Sequence, residues 1–139
     1  MDDPRRSHSI TITVRPEDID ELGHVNNAVY LRWVEEVARA HSDSLGMTVD
    51  VFRANGVVPV VRRHVITYHR PAVQDERLVL STRIVKAGGV RAVRRNEVRR
   101  ENGELVAEAE TEWVWVDPES GRPRNPPQHI FDAYGGPVG

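Results

Sequence analysis

The chain has 139 residues, of which 39% are hydrophobic and 29% charged, a composition typical of one soluble globular domain. The absence of cysteine excludes disulfides, a thiolate nucleophile and thiolate-bound zinc or iron–sulfur sites. A net charge of −2 argues against a nucleic-acid-binding protein, and no apolar run resembles a membrane span or a secretory signal, so we expect a cytoplasmic protein.

The N-terminal part is predicted to hold one strand followed by one long helix. Residues 9–15 alternate apolar and polar side chains, as in a half-buried strand, and Pro16 ends the pattern. Asn27 can cap a helix that runs to about Leu45, because apolar residues recur there at helical spacing. Gly46 suits the C-terminal end of this helix.

The remainder is predicted to be β-rich, after an irregular stretch at residues 52–56. The four predicted strands cover residues 57–70, 77–86, 90–100 and 105–116. Asn102-Gly103 predicts a two-residue hairpin turn, so opposite residues of the last two strands should sum to 205. This order indicates an α+β fold in which a five-stranded antiparallel sheet wraps around one long central helix.

In the predicted register, the core-facing side of the last hairpin carries both apolar and polar residues. Val98, Ala107 and Trp113 fall on one face, which should carry the core. Arg94 and Asn96 fall on the same face. Their presence there indicates a polar tunnel, a strand end, or a register error of one residue.

The single domain has its predicted core at about residues 8–117, and the tail at residues 118–139 is rich in proline and glycine. This composition predicts an irregular tail. A sheet wrapped around one helix leaves its edge strands open for pairing. We therefore expect a homodimer or a homotetramer, with sheets joined edge to edge or with an active cleft lined by both subunits.

A dense polar cluster lies between the first strand and the helix, and it contains Asp20, His24, Asn26 and Asn27. The first backbone N–H groups of a helix lack internal partners and carry partial positive charge, so they can stabilise a developing oxyanion. A nearby carboxylate can attack a carbonyl or deprotonate a water. The alternative is structural, because Asp and Asn are common helix caps and turn residues.

Residues 14–36, which include the run Asp20-Glu-Leu-Gly-His-Val-Asn-Asn27, resemble the signature of a known family. They are similar to hotdog-fold thioesterases of the 4-hydroxybenzoyl-CoA thioesterase-like group, and the His-Val-Asn-Asn subtype matches best. Residues 68–78, 103–108 and 116–123 also fit this family. The resemblance implies a hotdog fold and hydrolysis of an acyl thioester of coenzyme A or acyl carrier protein to a carboxylic acid and a free thiol. It implies no metal and no cofactor, since coenzyme A is part of the substrate.

The same resemblance implies a role for each residue of the cluster. Asp20 corresponds to the family's catalytic Asp and would act as nucleophile or general base. The backbone amide of Asn27 would bind the thioester oxygen. His24 and Asn26 would be auxiliary groups that orient water or Asp20, with local turn bonding as the alternative.

Three basic residues on the predicted strands are candidates for binding the phosphates of coenzyme A: Arg62, Arg91 and Arg94. Basic residues on strands are more often solvated partners of acids. Two other functions also fit the sequence. One is a hotdog hydratase or dehydratase, in which Asp20 and His24 act on the acyl chain, and the other is a non-catalytic acyl-CoA-binding module.

Overall fold

The computed structural model describes residues 3–139. In chain order the elements are β1 (Ser7–Thr13), α1 (Asn27–Ser44), α2 (Val49–Ala54), β2 (Val58–Tyr68), β3 (Arg77–Gly88), β4 (Arg91–Arg100), β5 (Leu105–Val116) and α3 (Gln128–Ala133). The five antiparallel strands form one sheet in the order β1-β3-β4-β5-β2. Short 3-10 helices cover Pro4–Arg6 and Pro16–Asp18. The sheet and single long helix predicted for a hotdog fold are both confirmed.

The long helix α1 begins at Asn27, one residue later than its cap. The cap is Asn26 rather than the predicted Asn27, because the Asn26 Oδ1 accepts a hydrogen bond from the N–H of Ala28 at 2.9 Å. One face of α1 is buried at helical spacing, and its residues are Val29, Tyr30, Trp33, Val34, Val37, Ala38, His41 and Ser42. Within residues 3–139 no helix is both long and apolar enough to cross a membrane.

The register of the last hairpin is the predicted one over most of its length. Val98 pairs with Ala107, and this pair sums to 205. The turn is wider than the predicted two residues, because Arg99 pairs with Leu105 and the register shifts beside Val98. Val106 is thus the extra residue of a β-bulge, which restores the predicted pairing on the far side.

The apolar core has two parts. The first packs against the N-terminal half of α1 and contains Val14, Val25, Val29, Tyr30, Trp33, Val37, Ala72, Leu78, Leu80, Val98, Val106 and Ala107. The second, near the tail, contains Phe52, Val57, Ile84, Trp115, Ile130 and Tyr134. Because the register is correct, the register-error explanation for Arg94 and Asn96 is wrong, and both side chains are buried in a polar layer with His41, Thr82 and Thr111.

Two segments that are predicted to be irregular each contain a short helix, and the rest of the tail is irregular as predicted. The tail forms α3, in which Ile130 is fully buried, and Val138 pairs with Ala87 at the end of β3. The stretch at residues 52–56 overlaps α2, whose cap is the side chain of Thr48. Proline and glycine content indicates only the local backbone preference. These segments are instead ordered by side chains that pack against distant parts of the chain, which composition does not predict.

Candidate active site

The polar cluster forms a tight turn between the second 3-10 helix, Pro16–Asp18, and α1. Ile19 and Val25 pair across its base, and the N–H of Asp20 donates to the carbonyl of His24 at 2.9 Å. The N–H of Gly23 donates to the carbonyl of Asp20 at 3.1 Å, and the positive φ of Gly23, 80°, is one that glycine adopts without strain. The turn therefore brings Asp20 and His24 side by side.

The two carboxylate oxygens of Asp20 have different surroundings. Its Oδ1 accepts a hydrogen bond from the N–H of Leu22 at 2.9 Å, which closes an Asx turn. Its Oδ2 has no hydrogen-bond partner in the part of the chain that the structure describes. The side chain is only partly buried. One oxygen thus stabilises the turn, and the other is available to a substrate or a water.

The start of α1 holds an unpaired donor next to this turn. The side-chain Oδ1 of Asn26 accepts a hydrogen bond from the N–H of Ala28, and its backbone carbonyl accepts one from the N–H of Val29, both at 2.9 Å. The N–H of Asn27 has no acceptor within residues 3–139, and the residue is exposed. This amide is a free donor at the positive end of the α1 dipole.

The auxiliary candidates differ in what they contact. Asn26 has a structural contact as the cap of α1. The His24 ring is exposed and makes no hydrogen bond to any described residue, Asp20 included. The two neighbours therefore do not form a hydrogen-bonded carboxylate–imidazole pair.

Asp18 anchors the turn, and the sequence does not single it out among the neighbouring acids. Its side chain is 1% exposed and accepts hydrogen bonds from the N–H of Arg15 at 3.0 Å and from the Arg32 guanidinium at 2.7 Å. Burial alone would raise the pKa of Asp18, but these hydrogen bonds outweigh it and lower the pKa. The Asp18 carbonyl also accepts from the N–H of Asn26 at 2.9 Å, so the residue joins the turn to α1.

Tyr68, at the end of β2, was also missed as a site residue. Its hydroxyl donates to the carbonyl of Asn27 at 3.1 Å, and its ring packs edge-on against Tyr30 with centroids 5.2 Å apart. Its only sequence signal is that it begins one of the family-like segments. The contact shows that the C-terminal end of β2 lies beside the N-terminus of α1.

The three basic candidates are divided between the two faces of the sheet. Arg91 and Arg62 lie together near Glu112, at 2.8 Å and 3.7 Å from its carboxylate oxygens, and the Arg91 hydrogen bond lowers the pKa of Glu112. Arg94 is three residues from Arg91 on β4, so it points to the other face. It is buried and donates to Nδ1 of His41 at 2.8 Å, a position that argues against contact with a nucleotide phosphate.

A cavity of about 440 Å³ lies between the C-terminal half of α1, α2, α3 and the sheet. Its size falls in the range of small-molecule sites, roughly 300–1,000 Å³. Its apolar lining comes largely from the second core part, and Arg94 also faces it. Ala38 on its wall is eleven residues along α1 from Asn27, a separation of roughly 16 Å. The cavity and the Asp20 turn therefore lie at opposite ends of the helix in one chain.

No group of three or more His, Asp or Glu side chains in residues 3–139 is arranged to hold a metal ion. The polar side chains of residues 20–27 are Asp20, the exposed Glu21, two asparagines and an unpaired histidine. The chemistry available to these residues is that of a carboxylate beside a free backbone donor.

Residues 14–133 match the model of the family described as the thioesterase-like superfamily. The chain is 32% identical over 127 residues to the acyl-CoA thioester hydrolase YbgC of Escherichia coli, covering 88% of this chain and 92% of that protein. It is 29% identical over 129 residues to the chloroplastic acyl-acyl carrier protein thioesterase ATL2 of Arabidopsis thaliana, covering 92% and 68% respectively. The crystal structure of Slr0204, a 1,4-dihydroxy-2-naphthoyl-CoA thioesterase from Synechocystis, superposes with a TM-score of 0.84 at 20% identity, covering 92% of this chain and 95% of that one.

Proposed function

The chain belongs to the thioesterase-like superfamily and is a thioester hydrolase, and we propose that it hydrolyses acyl thioesters of coenzyme A or acyl carrier protein with Asp20 as its catalytic carboxylate. The observation that carries this assignment is that the turn holds a carboxylate oxygen without a partner, Asp20 Oδ2, and leads directly into a free N–H, that of Asn27 at the start of α1. A thiolate leaves readily, so a carboxylate and one oxyanion donor are sufficient for the reaction.

Asp20 attacks the thioester carbonyl or deprotonates the water that does so, and the negative charge on the carbonyl oxygen is stabilised by the Asn27 N–H. Collapse of the tetrahedral intermediate expels the thiolate and leaves the acid, directly or after hydrolysis of an acyl–Asp20 anhydride. The exposed His24 and the cap Asn26 border this site and act as auxiliary groups. The lack of a hydrogen bond between His24 and Asp20 favours the hydrolase over a hydratase built on that pair.

The enzyme is proposed to work as a homodimer joined through β2. This strand is an edge of the sheet and exposes Val60, Val65 and Tyr68, which are 42%, 49% and 43% accessible. The cavity is bounded by residues 58–61 at the start of β2, whereas Tyr68 at its end contacts Asn27. In a two-fold antiparallel pair of β2 strands, the partner subunit's Asp20 turn therefore approaches this subunit's cavity.

This arrangement gives the substrate a continuous path. The acyl group occupies the cavity of one subunit, and the thioester reaches the partner subunit's Asp20. Arg62 and Arg91, which share Glu112 on the outer face, are the remaining candidates for the phosphates of coenzyme A. Placement in the 4-hydroxybenzoyl-CoA thioesterase-like group rests on the resemblance of residues 14–36 and is part of the same proposal.

Thiol release, followed with a thiol-reactive chromophore over short, long and aryl acyl-CoAs and an acylated carrier protein, tests the function. We expect release from at least one substrate, and loss of release in Asp20→Asn and Asp20→Ala. The exposed neighbour Glu21 provides the matched control Glu21→Gln, which should retain activity. Unchanged turnover in both Asp20 variants would remove Asp20 from the mechanism.

Two other results point to the competing functions. A change in enoyl absorbance with the thioester intact identifies a hydratase, and stoichiometric binding without any product identifies a binding module. The dimer is tested by sedimentation of Val65→Lys, which should shift the protein toward the monomer and reduce thiol release together. An active monomer contradicts the shared site.

A further inference from the structure

The cavity contains a buried cation that has no counter-ion among the described residues. Arg94 is 7% exposed, and its hydrogen bonds are to two neutral groups, Nδ1 of His41 at 2.8 Å and Oγ1 of Thr82 at 3.3 Å. Both bonds use Nη1, so Nε and Nη2 have no partner within residues 3–139. Burial lowers the pKa of Arg94 to about 10, so the guanidinium remains charged at neutral pH.

A guanidinium that is largely withdrawn from water and has no carboxylate partner is electrostatically unfavourable, and an anionic group that enters the cavity would supply the missing charge and acceptors. Acidic residues are present at the mouth of the cavity, but Glu35 and Asp43 are exposed and form no ion pair with Arg94 in the described chain. The rest of the wall near Arg94 is mainly apolar and includes Ile84, Phe52 and Trp115.

A second donor at this cavity also lacks an acceptor. The indole N–H of Trp113, another lining residue, is buried and has no hydrogen-bond partner in the described part of the chain. Among the other lining residues, the hydroxyls of Ser42 and Tyr134 form a hydrogen bond with each other at 2.6 Å. Two lining residues, Arg94 and Trp113, thus present buried donors that lack acceptors, and the buried charge is positive.

We propose that Arg94 binds the terminal carboxylate of the acyl group, so that the preferred substrates are thioesters of dicarboxylic acids, with the ω-carboxylate against the guanidinium and the methylene chain along the apolar wall. A carboxylate supplies both the missing charge and two acceptors for the guanidinium fork, whereas a hydroxyl or carbonyl oxygen leaves the charge uncompensated. The proposal rests on the hydrolase function proposed above and names the acyl class for that site.

The first test compares kcat/KM for adipoyl-, suberoyl- and sebacoyl-CoA with hexanoyl-, octanoyl- and decanoyl-CoA of matched chain length. At one or more lengths the wild-type protein should prefer the ω-carboxyacyl substrate by about 10- to 100-fold, as expected for a charge-assisted hydrogen bond. Arg94→Met should abolish this ratio, and Arg94→Lys, which retains the charge but not the fork, should keep part of it. Arg95→Met, on the opposite face of the same strand, is the matched control and should keep the wild-type ratio.

A second test needs neither turnover nor a variant. Calorimetric titration of the wild-type protein with free suberate or sebacate should give saturable binding that the uncharged octanamide and decanamide do not reproduce. Thiol release without any preference for ω-carboxyacyl substrates, or a preference that survives in Arg94→Met, overturns the inference but leaves the hydrolase function intact. If thiol is released from none of the substrates, the proposed function is contradicted. In that case, binding of the free diacids still tests the carboxylate site at Arg94.

Discussion

The Arg94 guanidinium donates a hydrogen bond to Nδ1 of His41 at 2.8 Å, between α1 and the sheet. Because Nδ1 accepts this bond, the imidazole proton is on Nε2, which donates to the backbone carbonyl of Arg5 at 2.6 Å. His41 is therefore neutral in the folded protein. This pair links the long helix, the sheet and the N-terminal segment through one histidine.

Burial and the nearby Arg94 charge lower the pKa of His41 to about 4, from an ordinary value of 6.5. As the pH falls below 6.5, the unfolded chain takes up a proton that the folded chain does not, so the stability contributed by His41 is complete above that pH and is lost toward pH 4. We expect His41 to account for a decrease on the order of 1–2 kcal/mol in the free energy of unfolding between about pH 7 and pH 5. Urea unfolding at both pH values should show a flatter dependence in His41→Gln, and parallel curves would contradict the assignment.

Asp18 and Asp20 are two residues apart and should respond differently to the same substitution. Asp18→Asn removes the buried carboxylate that forms ion pairs with Arg32 and Arg15. We therefore expect it to destabilise the fold by about 1–3 kcal/mol. Asp20→Asn retains an acceptor for the Leu22 N–H and should leave the melting temperature nearly unchanged while it abolishes thiol release. Thermal melts and activity assays on both variants separate the anchor from the catalytic group. An inactive Asp20→Asn protein that is also strongly destabilised would indicate a structural role for Asp20.

The Asn27 amide can be removed without disturbing the helix. Asn27 is the first residue of α1, where proline is well tolerated, and Asn26 already has the extended conformation that precedes proline, with φ −60° and ψ 135°. Asn27→Pro should therefore fold normally but lose roughly 100- to 1,000-fold in kcat, the usual effect of deleting an oxyanion donor. Asn27→Ala retains the N–H and should remain active. Equal activity of the two variants would exclude the amide from catalysis.

The cap of α1 should have a measurable effect on stability. Asn26→Ala leaves the Ala28 N–H without its side-chain acceptor, and we expect a loss of about 1 kcal/mol in the free energy of unfolding. Asn26→Ser supplies another capping oxygen and should recover most of that loss. Chemical denaturation of both variants measures the difference, and equal stabilities would show that the cap bond contributes nothing.

Sequence periodicity was sufficient to predict the strands and α1, because alternation marks a strand and helical spacing of apolar residues marks a helix. The pairing of Val98 with Ala107 followed from the turn residues and the two-residue period of a strand. The turn is longer than predicted, but the Val106 bulge compensates for the difference, so the pairing is still correct. The same alternation placed Arg94 and Asn96 on the inner face. Their burial could not be predicted, because hydrophobic patterning assigns no partner to a polar core residue.

The remaining differences come from long-range contacts. Asp18 and Asp20 have the same residue type in the same acidic stretch, and what separates them is that Arg32, on the next element, reaches the first of them. The tail has a turn-like composition, yet Ile130 is fully buried against the second core part. Tyr68 approaches Asn27 only after the chain has folded back from β2 to α1.

The division of the core into two parts has an evolutionary consequence. The first part supports the turn, through Val25, Val29 and Ala72, and the second supplies Phe52, Ile84 and Trp115 to the cavity wall. The two sets share no buried residue. Mutations that change the size or charge of the cavity can therefore accumulate without destabilising the Asp20 turn. One scaffold can thus diversify its acyl selectivity while its catalytic mechanism is conserved.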